Sequence, residues 1–195
     1  MELYSCLLCG VGGQGTVLAS RIIAAAAMNR GYFARTAETI GMAQRGGSVT
    51  SHVRIGERVP CPLIPAGGAD VMLAFEPGEA VRSLPFLKPE GALIVCDRAV
   101  QPVTASLAGG GYSAEEMLEY LRGHVARCRV LCVDEVARVA GSVRAVNVAL
   151  VGALAQSGAM GLSPEDAERA VREKVRPAYV EMNLRALRYG AECVK

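Results

Sequence analysis

The sequence predicts an α/β fold in which a mostly parallel sheet is covered by helices on both faces, and three observations carry that expectation. Apolar runs of strand length at 3–9, 70–75, 92–97 and 129–133 alternate with stretches of helical character. Most of these runs are apolar at nearly every position, as expected of strands covered on both faces. The first run passes through Gly10-Val11-Gly12-Gly13-Gln14-Gly15 straight into an apolar helical run, 17–28. Strand, glycine turn and helix in that order open a Rossmann-like unit.

The elements follow in order. The first helix is expected at 16–30, with Val17, Ile22, Ile23 and a row of alanines round most of its circumference and Gly31 as its stop. A short second strand follows at 32–37. Residues 49–55 alternate, with Val49, Ser51, Val53 and Ile55 on one side and Thr50, His52 and Arg54 on the other, which predicts a half-covered strand. Gly56-Glu57-Arg58 turns it toward Val59, so a hairpin-like insertion is expected near residues 48–60. Its polar face either lines a site or subunit contact, or is the solvated face of an edge strand.

Pro60-Cys61-Pro62 and Pro65 make a stiff linker into the strand 70–75, and Glu76-Pro77-Gly78-Glu79 starts a helix ending near Leu84-Pro85. Lys88-Pro89-Glu90-Gly91 reads as a turn into the strand 92–97. Residues 101–112, with Gly109-Gly110-Gly111, read as a loop, and Ser113 as the cap of a helix through about Gly123. After a buried strand at 129–133 comes an almost wholly apolar helix from Arg144, in which Gly152 permits close approach of a neighbour. Ser163-Pro164-Glu165-Asp166 opens the next helix, and Pro177 separates it from a last one at 179–189.

A chain of 195 residues fits one domain spanning 1–195. Lys and Arg number 21 against 19 Asp and Glu, and the net charge of +2 is spread without a run of one sign. Aromatics are only 5% and Trp is absent, so the basic, aromatic-interleaved stripe of a nucleic-acid binder is missing. The 51% hydrophobic share leaves two sources open, a well-filled core or apolar surface that meets a partner. No apolar run reaches the roughly 18 to 20 residues of a membrane-spanning helix, and the first residues lack a secretory pattern. A cytoplasmic protein without a membrane partner is therefore expected. The seven cysteines, Cys6, Cys9, Cys61, Cys96, Cys128, Cys132 and Cys193, suit reduced thiols better than a disulfide framework. Cys6 and Cys9 lie within a strand rather than at a helix N-terminus, against a redox pair. No close run of four cysteines is present for a cluster.

The glycine turn admits two roles: a cradle in which helix N–H groups meet an anion, or a tight turn that packs helix on sheet. Glu38 falls roughly twenty residues past the glycines, where a dinucleotide fold places its ribose-binding acid. A free-standing module for NAD or ATP, or an NAD-dependent enzyme, is thus the alternative function. Against it, Glu38-Thr39-Ile40-Gly41-Met42-Ala43-Gln44-Arg45-Gly46-Gly47-Ser48 replaces the helix due next with a second glycine-rich loop. His52 and His124 are too few for a multi-histidine metal site or a histidine-based triad. Asn147, the polar exception in an apolar helix, either ties down a loop or meets a ligand.

Gly10 to Gly15, the stretch Glu38 to Val49, and Ala69-Asp70-Val71-Met72-Leu73-Ala74-Phe75-Glu76-Pro77 together resemble the gamma-type domain of 2-oxoacid:ferredoxin oxidoreductases, and the resemblance spans essentially the whole chain. It implies CoA-dependent oxidative decarboxylation of a 2-oxoacid, indolepyruvate or another aryl 2-oxoacid, with electrons passed to ferredoxin. It also implies a hetero-oligomer in which a large alpha subunit carries thiamine diphosphate and [4Fe-4S] clusters. By this resemblance the chain itself carries no cofactor, no metal and no catalytic residue, and is inactive alone. A pure interaction subunit is a further alternative. Gly12, Gly13, Gln14, Gly15, Arg45, Gly46, Gly47 and Ser48 are implied to face the partner's active site. Helix N–H groups with the Arg45 guanidinium would suit a carboxylate or the phosphates of coenzyme A. Gln14 and Arg45 could equally hold the two loops together.

Overall fold

In the computed structural model, residues 3–40, 46–101 and 112–194 are described. Six strands form one sheet in the order β2-β3-β1-β4-β5-β6: β1 Tyr4–Val11, β2 Phe33–Ile40, β3 Ser48–Gly56, β4 Ala69–Ala74, β5 Leu87–Cys96 and β6 Arg127–Leu131. Seven α-helices are described: α1 Thr16–Met28, α2 Pro77–Ser83, α3 Ala114–His124, α4 Val133–Ala140, α5 Val146–Ser157, α6 Pro164–Lys174 and α7 Val180–Glu192.

β1, β4, β5 and β6 run parallel, while β3 lies antiparallel between β1 and β2. Successive residues of β1 face opposite sides, so its apolar run serves two cores. Cys6 and Leu8 pack with α1, α5, α6 and α7, whereas Leu7 and Cys9 pack with Ala80 of α2 and Leu118 and Leu121 of α3. Both faces of the sheet are therefore covered, as the apolar runs predict.

The hairpin near residues 48–60 forms with a different partner. β3 pairs along its whole length with β2, Phe33 opposite Gly56 and Ile40 opposite Val49, and it also pairs with β1. Its position inside the sheet explains the alternation: Val49, Ser51, Val53 and Ile55 are all buried. Residues 88–91 extend β5 instead of forming a turn, with a shift in register against β4 between Ala69 and Val71. β6 is an edge strand with only Leu131 buried, and it is followed by α4, a helix missing from the sequence-based expectation although Asp134 and Glu135 in its first turn and Gly141 at its end mark it. The loop expected at 101–112 falls mostly on residues outside the described ones.

Helix ends follow their capping residues. Ser113 accepts from the Glu116 N–H at 3.3 Å, and Ser163 and Asp166 form a reciprocal capping box on α6. Gly152 has its predicted purpose: a Cβ there would lie 2.7 Å from the carbonyl carbon of Leu187 in α7. Gly190 repeats the contact from the other side, 2.6 Å from the carbonyl carbon of Ala149. The two helices thus meet backbone to backbone.

Candidate functional site

The glycine turn leaves β1 at its C-terminal end and enters α1. Gly13 and Gly15 take φ of +103° and +85°, a left-handed conformation that side chains strain. Gly15 is the N-cap of α1, which has neither a side-chain cap nor an acid in its first turn. Its first N–H groups keep their partial positive charge unopposed by a carboxylate of their own turn.

Gln14 folds back over the strand ends. Its Oε1 accepts from the Val11 N–H at 2.8 Å, and its Nε2 donates to the Phe75 carbonyl at 3.1 Å. The carboxamide lies where Gly10 has no side chain; a Cβ on Gly10 would come within 2.6 Å of Oε1. Gln14 therefore fastens the end of β1 to the end of β4. Asn147, at the start of α5, donates to the Gly15 carbonyl at 3.4 Å and accepts from the Val148 N–H at 2.9 Å. Of the two roles open to it, tying down a loop is the one the geometry records, and it does so at the wall of a cavity.

The second glycine segment abuts the first. Gly12 donates its N–H to the Gly47 carbonyl at 2.8 Å, and Gly46 donates to the Gly12 carbonyl at 3.4 Å. Ser48 donates to the Glu79 carboxylate at 2.6 Å, which also accepts from Arg82 at 2.8 and 3.1 Å. Glu76, fully buried, accepts from the Glu79 N–H at 2.8 Å, the Val100 N–H at 3.3 Å and the Tyr112 hydroxyl at 2.9 Å. Burial first and the Glu76 carboxylate second push the Tyr112 hydroxyl up to about 12. Gly12, Gly13, Gln14, Gly15, Gly46, Gly47 and Ser48 are thereby gathered at one end of the sheet. Arg45, with residues 41–44, lies outside the described residues.

Beside this pair of loops a cavity of about 370 Å³ opens at the C-terminal ends of β1, β4 and β5. Gly13, Gln14, Gly15, Phe75, Arg98 and Asn147 line it, with Val143 and Arg144 on a further side. Its place matches the crevice where parallel α/β sheets take ligands. Arg98 pairs with Asp134, but the two side chains are 47% and 83% exposed, so the pair is weak. Arg144 is exposed and has no side-chain partner among the described residues. Two guanidinium groups, an uncapped helix start and apolar walls suit an anionic ligand with an apolar part.

Sequence reasoning missed Arg98 and Arg144. Arg98 stands two residues past the last strand residue, Cys96, so the rule that ligands sit beyond strand ends could have found it. Arg144 comes from a distant part of the chain, and its position is set by packing alone.

Three other candidates resolve into structure. Glu38 sits in β2, separated from β1 by β3, and accepts from Ser20 of α1 at 3.5 Å. The dinucleotide arrangement needs that acid on the strand next to β1, so the NAD alternative loses its main support. His52 accepts the Ile64 N–H on Nδ1 at 3.1 Å and packs edge-on against Phe86, pinning the proline-rich linker. Burial depresses its pKa. Cys6, Cys9 and Cys96 are buried, and burial raises their thiol pKa values, that of Cys9 to about 12. They remain thiols at neutral pH, unsuited to thiolate chemistry. Among the described residues no three His, Cys, Asp or Glu side chains are placed to hold a metal.

Comparison with known proteins adds an independent finding. Residues 5–193 match the family model described as pyruvate ferredoxin/flavodoxin oxidoreductase. A protein of Archaeoglobus fulgidus described as indolepyruvate oxidoreductase subunit IorB is 46% identical over 182 residues, 93% of this chain and 90% of that one. The crystal structure of the gamma subunit of a keto/oxoacid ferredoxin oxidoreductase from Geobacter sulfurreducens superposes with a TM-score of 0.72 at 25% identity, covering 100% of this chain and 97% of that one. The 2-oxoglutarate:ferredoxin oxidoreductase of Magnetococcus marinus, solved with 2-oxoglutarate, coenzyme A and succinyl-CoA, shares the fold at a TM-score of 0.75 and 21% identity. The likeness covers all of this chain and 31% of that longer one.

Proposed function

The chain belongs to the pyruvate ferredoxin/flavodoxin oxidoreductase family, and on that premise we propose that it is the small subunit of a 2-oxoacid:ferredoxin oxidoreductase acting on indolepyruvate or a related aryl 2-oxoacid. The observation that carries the substrate class is the identity, spread over nearly the whole chain, with the Archaeoglobus indolepyruvate subunit. The subunit role rests on the family and on the likeness to separate gamma subunits.

In this reading the large subunit holds thiamine diphosphate and the iron–sulfur clusters, which supply carbanion stabilisation and electron transfer to ferredoxin. The present chain contributes a surface. Gln14 and Asn147 hold the first glycine loop in shape, and the Gly12 to Gly47 hydrogen bond fixes the second against it. Gly13 and Gly46, each at positive φ with nothing within 4 Å of a would-be Cβ, leave bare backbone for a partner or substrate to approach. The uncapped start of α1, with Arg98 and Arg144, supplies positive potential for a carboxylate or phosphate at that surface. Arg45, which lies between β2 and β3 in the sequence, is assigned the same task.

Co-expression with the large subunit tests the proposal. Dye reduction is measured with indolepyruvate or phenylpyruvate and coenzyme A, with and without this chain. Turnover that requires the chain is the expected result; turnover unchanged by its omission overturns the proposal.

A further inference from the structure

Helices α4 and α7 meet along a seam at the side of the molecule. Near the C-terminal end of α4, Arg185 of α7 donates to the Val139 carbonyl at 3.2 Å and to the Ala140 carbonyl at 3.0 Å. Four residues further along α7, Tyr189 lies among Cys193, Cys132 and Glu135. Burial first, then the Cys193 thiol, then the charges of Cys132 and Glu135 push its hydroxyl above the ordinary tyrosine range. Residues three or four apart share a helix face, so Cys132, Glu135 and Val139 form one row on α4, with Cys132 as its N-cap. Arg185, Tyr189 and Cys193 form the facing row on α7, with Cys193 as its C-cap. The rows run in opposite directions. Val139 is level with Arg185, Glu135 with Tyr189, and Cys132 with Cys193, so two thiols stand at the same end of one seam.

The other five cysteines have no such setting. Cys6, Cys9 and Cys96 are fully buried in strands, and burial raises their thiol pKa values. Cys128 packs with the core on the α2 and α3 side of the sheet, whereas Cys193 packs with the core on the α5 and α7 side. Cys61 is exposed in the proline-rich linker. Cys132 and Cys193 are both free and half-buried, sheltered enough to be held in place and open enough for a small reagent to reach. Cys193 lies just past the last helical residue, Glu192. Closing the Cα separation to the roughly 4.4–6.8 Å of a disulfide therefore falls on a chain end and not on packed helix.

We propose that Cys132 and Cys193 are a reversible redox pair, a dithiol that a small-molecule disulfide of the glutathione class closes to a disulfide. One cysteine thiolate attacks a sulfur of the small disulfide and releases one small thiolate. The second cysteine thiolate then attacks the protein sulfur of the mixed disulfide and releases the other. The two protons given up by the cysteines end on the two released thiolates, so one S–S bond is broken and one is formed; the protein is oxidised by two electrons and the small disulfide is reduced by two. The product ties the end of α7 to the turn between β6 and α4. That turn is already fastened to the end of β5, where Asp97 donates its N–H to the Leu131 carbonyl at 3.1 Å and accepts from the Val133 N–H at 2.9 Å. A link that opens and closes with the thiol poise is the kind that intracellular proteins use. The inference stands on the residues of this chain alone and does not need the subunit role proposed above.

Oxidation of the folded, full-length chain with glutathione disulfide tests it. Remaining thiols are alkylated, the protein is digested, and the peptides are identified by mass spectrometry before and after dithiothreitol. A Cys132–Cys193 linked peptide is expected, with the intact mass of that link lower by about 2 Da for the two hydrogens lost, and dithiothreitol is expected to restore both thiols. The exposed Cys61 serves as the solitary control and is expected to stop at a mixed disulfide with glutathione. Cys132→Ser and Cys193→Ser are expected to leave the surviving partner at that same mixed disulfide, because no second thiol is there to displace it. Closing so long a loop should also raise the thermal midpoint of the oxidised wild type by about 5 °C or more, and of neither variant. Cys132 and Cys193 both left as free thiols, each carrying its own glutathione, or linked to another cysteine instead, overturns the proposal. So does a Cys132–Cys193 link that forms in urea but not in the folded chain. Dye reduction by the reconstituted complex is a separate readout, so failure of either experiment leaves the other standing.

Discussion

Glycine serves two opposite purposes in two regions of this molecule. Where α5 crosses α7, Gly152 and Gly190 are absent side chains that let two helix backbones touch, and any added atom meets a main-chain carbonyl. Where β1 and β3 meet at the end of the sheet, Gly13 and Gly46 have positive φ and open space around them. The first pair closes a gap, and the second keeps one open. Stability should therefore depend most on the helix seam, and complex formation and turnover most on the loops.

The largest expected effect on stability is at the seam. Gly152→Ala places a methyl group against the Leu187 carbonyl, and neither backbone can yield without moving its helix. Overpacking of this kind costs about 3 kcal/mol or more when the obstacle is main chain. Urea unfolding of Gly152→Ala and Gly190→Ala should show lowered midpoints or no folded protein. A loss under about 1 kcal/mol in both would break the contrast between the two regions.

Gln14→Ala comes next, because it reaches the loop region through structure. The Val11 N–H and the Phe75 carbonyl both lose their partner, and a buried polar group left unpaired costs about 1–3 kcal/mol. Stability should fall by about 2 kcal/mol and turnover of the reconstituted complex should fall with it. Restoration by Gln14→Glu of neither property is expected, since a carboxylate cannot donate to the Phe75 carbonyl.

Gly13→Ala is the sharper case. Its Cβ meets nothing, so only the φ of +103° opposes it, at about 1–2 kcal/mol. The isolated chain should remain folded while association with the large subunit, followed by size-exclusion chromatography, weakens. Normal association and turnover in Gly13→Ala would mean that the open loop is merely a turn, and the two regions would no longer differ in kind.

How much of this was legible beforehand follows the same division. The helix seam was readable at Gly152, because a glycine amid Val148, Ala149, Leu150, Val151 and Ala153 has few other uses in a helix. α1 was readable because its apolar run follows directly on the glycines. The place of β3 was not, since alternation reports which faces are covered but not which strand lies alongside; with β3 inserted, Glu38 moved one strand away from β1 and the dinucleotide pattern failed. The charge of the crevice beside the glycine loop was also hidden: Arg98 and Arg144 are far apart in sequence, and only packing brings them to one cavity.

The smallest effect expected is a pH dependence that belongs to neither glycine region. His52 is held neutral in the fold by burial, with its Nδ1 occupied by the Ile64 N–H. Its folded pKa therefore lies below the unfolded value of about 6.5. Between those two values the unfolded chain binds the proton more readily, so stability rises with pH through that window and is flat in this respect above about pH 6.5. Acidification from pH 7.5 to 5.5 should lower the urea midpoint of the wild type, and His52→Gln should lower it less while starting from a less stable protein. Gly13→Ala should retain the wild-type pH dependence in full, because its turn contains no titratable group; a change of slope in that variant would link the loops to β3 more tightly than their hydrogen bonds imply.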